Sequence, residues 1–276
     1  PLVIFSKGGY VSVPVAVAGS LLRIPVITHE SDLDPGIATR LNGIVAEKIC
    51  VSYRDTARYF PHRLRNKILY TGNPVRVDIS KGDPDKGKEI TGCPDSKKIL
   101  LVLGGSLGAL AINNAIEKIL DQLTDHCFVI HQMGQKHFHE SDKKNYYPVP
   151  FFHGEFPHIL AAAEIVVSRA GANTLWECAA SNVPSILIPL SRSGSRGDQI
   201  RNAGFFKSLG LSLVVEEKPG FHEKLLATII NLLDNKMIRE EMKEKSREFG
   251  GADSVKRITD LLLEYSIIRR KNERSF

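Results

Sequence analysis

The chain has 276 residues, 42% of them hydrophobic and 25% charged, with 37 Lys and Arg against 31 Asp and Glu. At roughly 150 residues per domain this composition fits two domains of soluble α/β type and excludes a disordered or fibrous chain. No apolar run reaches the ~18–20 residues of a membrane span, and Cys50, Cys93, Cys127 and Cys178 form neither a CxxC pair nor a zinc spacing, so free thiols and no bound metal are expected.

The net charge of +6 is unevenly spread: residues 1–76 hold ten basic and five acidic residues, and residues 266–276 hold four and one. A basic first part and a basic tail suit an anionic partner such as lipid headgroups or a pyrophosphate. No RNA-binding aromatic motif or helix-turn-helix stands out, so nucleic acid is not expected. The chain starts at Pro1, inside an apolar run and without Met. That reads as a chain whose beginning lies upstream, so the lack of a leader pattern carries little weight.

In chain order, Leu2–Phe5 reads as a strand running into Ser6-Lys7-Gly8-Gly9, then a helix from Val11 to Leu22 and a buried strand Ile24–Thr28. The polar cluster His29-Glu30-Ser31-Asp32 follows, at the strand end where parallel sheets place their ligands. Ile49–Ser52 and Lys67–Tyr70 are further strands, the second leading to Gly72-Asn73-Pro74-Val75-Arg76. Residues 77–97 are polar and rich in Lys, Asp and Gly, and read as an interdomain linker.

A second, similar layout begins at Lys98–Leu103, a strand ending in Gly104-Gly105-Ser106-Leu107-Gly108 before a helix to about Leu123. Such a turn forms an anion nest, to which Ser106 adds a hydroxyl. Strands at Cys127–Gln132 and Pro148–His153 and a helix at His158–Ala163 follow. Then comes strand Glu164–Ser168, a Gly171 turn, a helix capped by Asn173 or Thr174, and strand Val183–Pro189. Glu177 lies one turn into that helix, where a carboxylate accepts hydrogen bonds from a vicinal diol such as ribose. Asp198, Gln199 and Asn202 open the next helix and suit a hydroxyl-rich group. A strand Leu211–Val215 and three helices complete the chain. Strands alternating with helices in both halves predict two doubly wound Rossmann-like domains facing a cleft.

The Gly104–Gly108 turn also matches G-x-S-x-G, and Ser106, Asp198 and His222 stand in triad order, but no HGGG-type oxyanion loop precedes them. A non-catalytic sugar-nucleotide binder is a third class.

Six motifs stand in order along nearly the whole chain: GGYVS at Gly8–Ser12, HESD at His29–Asp32 with PG at Pro35-Gly36, GNPVR at Gly72–Arg76, GGSLGA at Gly104–Ala109, SRAGANTLWE at Ser168–Glu177 and GDQIRNA at Gly197–Ala203. Together they resemble the MurG family of N-acetylglucosaminyltransferases, glycosyltransferase family 28. The resemblance implies a GT-B fold: an acceptor domain over residues 1–76, joined by a returning helix over 253–276, and a donor domain over 98–252. It implies inverting transfer of GlcNAc from UDP-GlcNAc to undecaprenyl-pyrophosphoryl-MurNAc-pentapeptide (lipid I), giving lipid II, by an enzyme peripheral to the cytoplasmic face of the cell membrane, beside other cell-wall synthesis proteins. No cofactor is implied.

By the same resemblance Ser106 contacts the diphosphate, with Arg76 beside it at the cleft, and Ala172, Asn173, Thr174, Leu175, Trp176 and Glu177 surround uridine and ribose. Asp198 and Gln199 read the sugar hydroxyls, His153 falls near the uracil, and Asp32 lines the acceptor side. The family's amino-terminal Gly-rich loop, whose His is a favoured base, has no counterpart in this sequence; His29, Glu30 and Asp32 are the suitable groups present on that side, and His29 more readily orders its strand end. A chain of this extent is expected to bind donor and transfer poorly. Another GT-B enzyme, or a UDP-GlcNAc 2-epimerase, is the enzymatic alternative. Leu21-Leu22 beside Arg23, and Ile267-Ile268-Arg269-Arg270-Lys271, are the expected membrane contacts.

Overall fold

The computed structural model describes residues 1–105, 108–191, 196–249 and 253–273, with residues 271–273 described by backbone only. The chain divides into two compact units, residues 1–75 with 251–276, and residues 76–250.

In the first unit β1 (Ile4–Ser6), β2 (Val26–Glu30), β3 (Lys48–Val51) and β4 (Ile68–Tyr70) pair in that order, all parallel. Helices α1 (Ser12–Leu21) and α2 (Ile37–Val45) make the first two crossovers, and two 3-10 segments, Arg54–Tyr59 and His62–Lys67, make the third. Near-continuous apolar strands are what a parallel sheet covered on both faces requires. Ile49 and Val51 pack on Phe60 and Leu64, while Ile27 and Cys50 pack on Leu261 with Leu262 and Tyr265 of the chain's last helix, Ser254–Glu273.

The second unit opens with α3 (Pro84–Thr91) and carries β5 (Ile99–Leu103), α4 (Leu110–His126), β6 (Phe128–Gln132), β7 (Tyr146–Val149), α5 (Phe156–Ala162), β8 (Ile165–Ser168), α6 (Ala172–Ala180), β9 (Ser185–Leu187), α7 (Asp198–Ser208) and β10 (Ser212–Val214). Helices α8 (Phe221–Asp234) and α9 (Lys236–Phe249) close it, and the last helix of the chain is α10. The sheet order is β10-β9-β8-β5-β6-β7, every pair parallel. Both units are thus parallel α/β, the expected class.

Three expectations are corrected. The segment 77–97 is not a loose linker: Asp83 caps α3 by accepting from the amides of Asp85 and Lys86, Pro84 starts it, and Gly92 ends it at φ 67°. It packs so closely on α5 that a Cβ on Gly87 would lie 2.3 Å from the His158 carbonyl oxygen. Strand β7 lies at Tyr146–Val149, earlier than expected, because Pro148 is tolerated on this edge strand and Pro150 leads the chain out of the sheet. Finally, α6 starts at Ala172 with Gly171 as N-cap; neither Asn173 nor Thr174 caps it.

Candidate active site

Within the second unit the chain adds strands in one direction from β5 to β7 and in the other from β8 to β10. Crevices at such a reversal, outside the carboxyl ends of the strands, are where open parallel sheets bind ligands. Leu103 of β5 pairs with Ser168 of β8, so the Gly104–Gly108 turn and the Arg169–Gly171 turn leave the sheet side by side. The first turn demands glycine: a Cβ on Gly104 would meet the Gln132 oxygen at 2.9 Å, and one on Gly108, at φ 78°, would meet the Met133 oxygen at 2.4 Å. Ser106 lies outside the described residues.

The second turn delivers α6 with no side-chain cap. First-turn amides of a helix lack intrahelical acceptors, and the helix dipole adds positive potential there, so this end suits an anion. Glu177 projects from the next turn with 17% of its side chain exposed, and its carboxylate accepts from Arg76 Nε at 3.3 Å. Burial holds the Glu177 pKa above the ordinary carboxylate value, and Arg76 partly offsets this. The Arg76 guanidinium lies 5.0 Å over the Phe156 ring, with Asp78 at 3.9 Å. Phe156 in turn lies 5.9 Å from Phe152, beside exposed His153, whose ring meets Phe151 at 5.3 Å and whose amide donates to Glu155. Arg76, Glu177 and the segment carrying His153 thus form one neighbourhood.

Other expected residues divide. Ala172, Asn173 and Thr174 form the first turn of α6. Leu175 and Trp176 are core residues at 1% and 0% exposure, with Trp176 packed on Phe249 at 4.9 Å, so their side chains do not line the mouth. Asp198 opens α7 beside Arg196, and its Oδ1 is buried with no hydrogen-bond partner among the described residues. Gln199 Oε1 accepts from the Leu190 amide at 3.0 Å. Asn202 is buried and donates to the Ala170 carbonyl, which fixes α7 against the turn. His222 faces its neighbour Glu223 at 3.1 Å.

In the first unit, polar residues gather at the carboxyl ends of β1, β2 and β4. Lys7 Nζ reaches Ser31 Oγ at 3.0 Å, His29 Nδ1 at 3.4 Å and Asn73 Oδ1 at 3.4 Å. Burial lowers the Lys7 pKa, against the opposing charges of Glu30 and Asp32. An ammonium only donates, so His29 Nδ1 is an acceptor and its Nε2–H donates to the Gly72 carbonyl at 3.0 Å. His29 is fully buried, and burial together with Lys7 pushes its pKa down to about 3. Both nitrogens are committed, which makes His29 a brace of the sheet end and no base. Glu30, also buried, accepts from the amides of Asp32 and Gly36 and so shapes the loop that presents partly exposed Asp32. Lys7 and Phe156 were not singled out in the sequence; their places at a strand end and a helix start gave a signal, their partners did not.

Two family models match the chain: "Glycosyltransferase family 28 C-terminal domain" over residues 99–258 and "Glycosyltransferase family 28 N-terminal domain" over residues 1–51. A protein of Treponema denticola named "UDP-N-acetylglucosamine--N-acetylmuramyl-(pentapeptide) pyrophosphoryl-undecaprenol N-acetylglucosamine transferase" is 40% identical over 99% of this chain and 74% of its own length. A protein of the same name from Clostridium perfringens is 39% identical over 95% of this chain and 72% of its own. Among solved structures, MurG of Acinetobacter baumannii superposes with TM-score 0.72 at 25% identity, covering 95% of this chain and 73% of that one. The UDP-GlcNAc 2-epimerase of Neisseria meningitidis, bound to UDP-GlcNAc, reaches TM-score 0.70 at 14% identity over 96% and 76%, a likeness of fold alone.

The buried histidines generate a pH prediction. Burial also pushes His131 down to about 3, its ring held between Tyr146 Oη and Asn113 Oδ1. Histidine in the unfolded chain titrates near 6.5. The unfolded state therefore binds more protons below that pH, and the stability from each neutral ring, fully present above about 6.5, is lost as pH falls toward 3. Urea unfolding at pH 7, 6 and 5 is expected to show each of His29→Gln and His131→Gln reducing the pH slope, toward a full share of about 1.4 kcal/mol per pH unit per histidine. Slopes equal to the wild type would contradict the neutral, buried assignment.

Proposed function

Because the chain belongs to the MurG family of glycosyltransferase family 28, we propose a division of its chemistry between the two units. The reaction is transfer of GlcNAc from UDP-GlcNAc to the pyrophosphoryl-undecaprenol acceptor lipid I, giving lipid II. The second unit takes the donor, and the observation that carries this is the uncapped α6 N-terminus with Glu177 one turn in, paired to Arg76, at the strand-order reversal. The uridine ribose diol donates to Glu177, the diphosphate meets the Gly104–Gly108 turn with Ser106, and the 151–156 segment with His153 flanks the base. Asp198 and Gln199 face the GlcNAc hydroxyls.

In the transfer an acceptor hydroxyl attacks the anomeric carbon as the bond to the UDP oxygen breaks, and negative charge grows on the departing diphosphate. Arg76 and the α6 dipole stabilise that charge. Inversion needs a base on the side opposite the leaving group. The first unit supplies the acceptor side; with both His29 nitrogens committed and Glu30 buried on the Asp32 and Gly36 amides, Asp32 is the candidate base among the described residues.

Membrane attachment uses the first unit. Leu21 and Leu22 are exposed beside Arg23, and the Arg23 carbonyl accepts from Arg269 of α10 at 2.7 Å. That bond sets exposed Ile267 and Ile268 near the same edge, one apolar and basic surface built from both candidates. Among the described residues no helix is long and apolar enough to cross a membrane. Peripheral attachment at the cytoplasmic face, where the nucleotide sugar is available, fits this surface; each basic residue near anionic lipid adds about 1 kcal/mol.

Two predictions separate the roles. Glu177→Ala weakens UDP-GlcNAc binding in calorimetry by ~1–3 kcal/mol, as loss of charge-assisted hydrogen bonds requires, whereas Arg76→Ala lowers kcat roughly a hundredfold with a smaller change in KM. Equal binding by wild type and Glu177→Ala, or of ADP and UDP, would contradict the assignment. Replacing Leu21 and Leu22 together by Ser is expected to reduce sedimentation with phosphatidylglycerol vesicles while leaving UDP binding intact; unchanged sedimentation places the contact elsewhere.

A further inference from the structure

Gln132, the last residue of β6, is 5% exposed and uses both ends of its amide. Its Nε2 donates to the Gly105 carbonyl at 3.1 Å, and its Oε1 accepts from the Phe152 amide at 3.3 Å. One buried side chain therefore joins the Gly-rich turn after β5 to the segment that carries His153 and leads into Phe156. The Gly105 carbonyl also accepts from the Gly108 amide at 3.2 Å, so it is held inward by two donors. Two donors on that carbonyl keep it from facing an incoming phosphate, which it would repel.

The strand end that carries Gln132 is itself braced. Asn113, in the first turn of α4, donates to the Met133 carbonyl at 2.9 Å. Its Oδ1 therefore accepts from His131 Nε2 at 3.1 Å, and His131 Nδ1 takes the Tyr146 hydroxyl at 3.0 Å. Buried polar groups with every partner supplied fix a single arrangement, because breaking one leaves a costly orphan.

We propose that Gln132 is a positioning residue for the transfer reaction, coupling the diphosphate turn to the nucleobase segment so that a donor must satisfy both together. The inference rests on the donor-site reading above. Gln132 touches no reacting atom; it acts through Gly105 and Phe152.

The test is an affinity series of uridine, UMP and UDP on wild type, Gln132→Glu and Gln132→Met, with Tm measured for each. Glutamate keeps the acceptor for Phe152 but, ionised, cannot donate to Gly105. Methionine removes both bonds without burying a charge. The expected result is that Gln132→Glu keeps its affinity for uridine within about twofold while the advantage of UDP over uridine falls about tenfold, the scale of one well-placed hydrogen bond. Gln132→Met is expected to weaken uridine and UDP both, and to raise KM for UDP-GlcNAc more than it lowers kcat. Variants that lose Tm but keep the wild-type ratio of UDP to uridine affinity would overturn the proposal and leave Gln132 a core residue. A folded wild type that does not bind UDP would overturn the donor-site reading, and this inference with it.

Discussion

Between β5 and β8 the chain reverses the direction in which it adds strands, and the rest of the second unit is built on that reversal. Right-handed crossovers place α4, which follows β5, and α6, which follows β8, on opposite faces of a parallel sheet. Their two entry turns therefore diverge from adjacent strand ends, Leu103 beside Ser168, and leave a crevice lined by backbone. That crevice requires glycine at two positions, where Gly104 and Gly108 approach carbonyl oxygens too closely for a Cβ. Side chains then give the crevice its chemistry: a carboxylate at Glu177 and a guanidinium at Arg76.

Contacts within the second unit form a continuous path. Gly105 is tied to Gln132, Gln132 to Phe152, Phe152 packs on Phe156, Phe156 supports Arg76, and Arg76 pairs with Glu177. Each link alone is worth about 0.5–1.5 kcal/mol. Their value lies in orientation, since a planar guanidinium held by a ring and a carboxylate has little freedom left to lose when an anion arrives. The first unit uses the same economy differently. Lys7, His29, Ser31 and Asn73 brace three strand ends, and the histidine that chemistry would seek as a base is consumed in the brace.

Much of this was legible in the sequence. Runs such as Ile99–Leu103 are apolar throughout and bounded by glycine, and the helix after each turn shows its period, so strands and helices fall within a few residues of their places. Glu177 could be read because one turn of helix fixes its distance from Gly171. Tertiary choices were not legible. Asp83-Pro84 and Gly92 are clear helix signals, yet the polar composition between them read as a linker, because what holds α3 is the close approach of Gly82 and Gly87 to α5. The face of α6 that turns inward meets Phe249, 73 residues beyond Trp176 in the chain, and Leu175 and Trp176 lie in the core. Gln132 reads as one more strand residue until Gly105 and Phe152 are seen on either side of it.

The central claim is that the donor lies across the β5–β8 reversal with its base against the 151–156 segment. Photolabelling with 5-azido-UDP-GlcNAc, followed by peptide mapping, tests it most directly. The account predicts label within residues 151–156 or 171–177, abolished by excess UDP-GlcNAc. Competed label confined to residues 1–75 would contradict it.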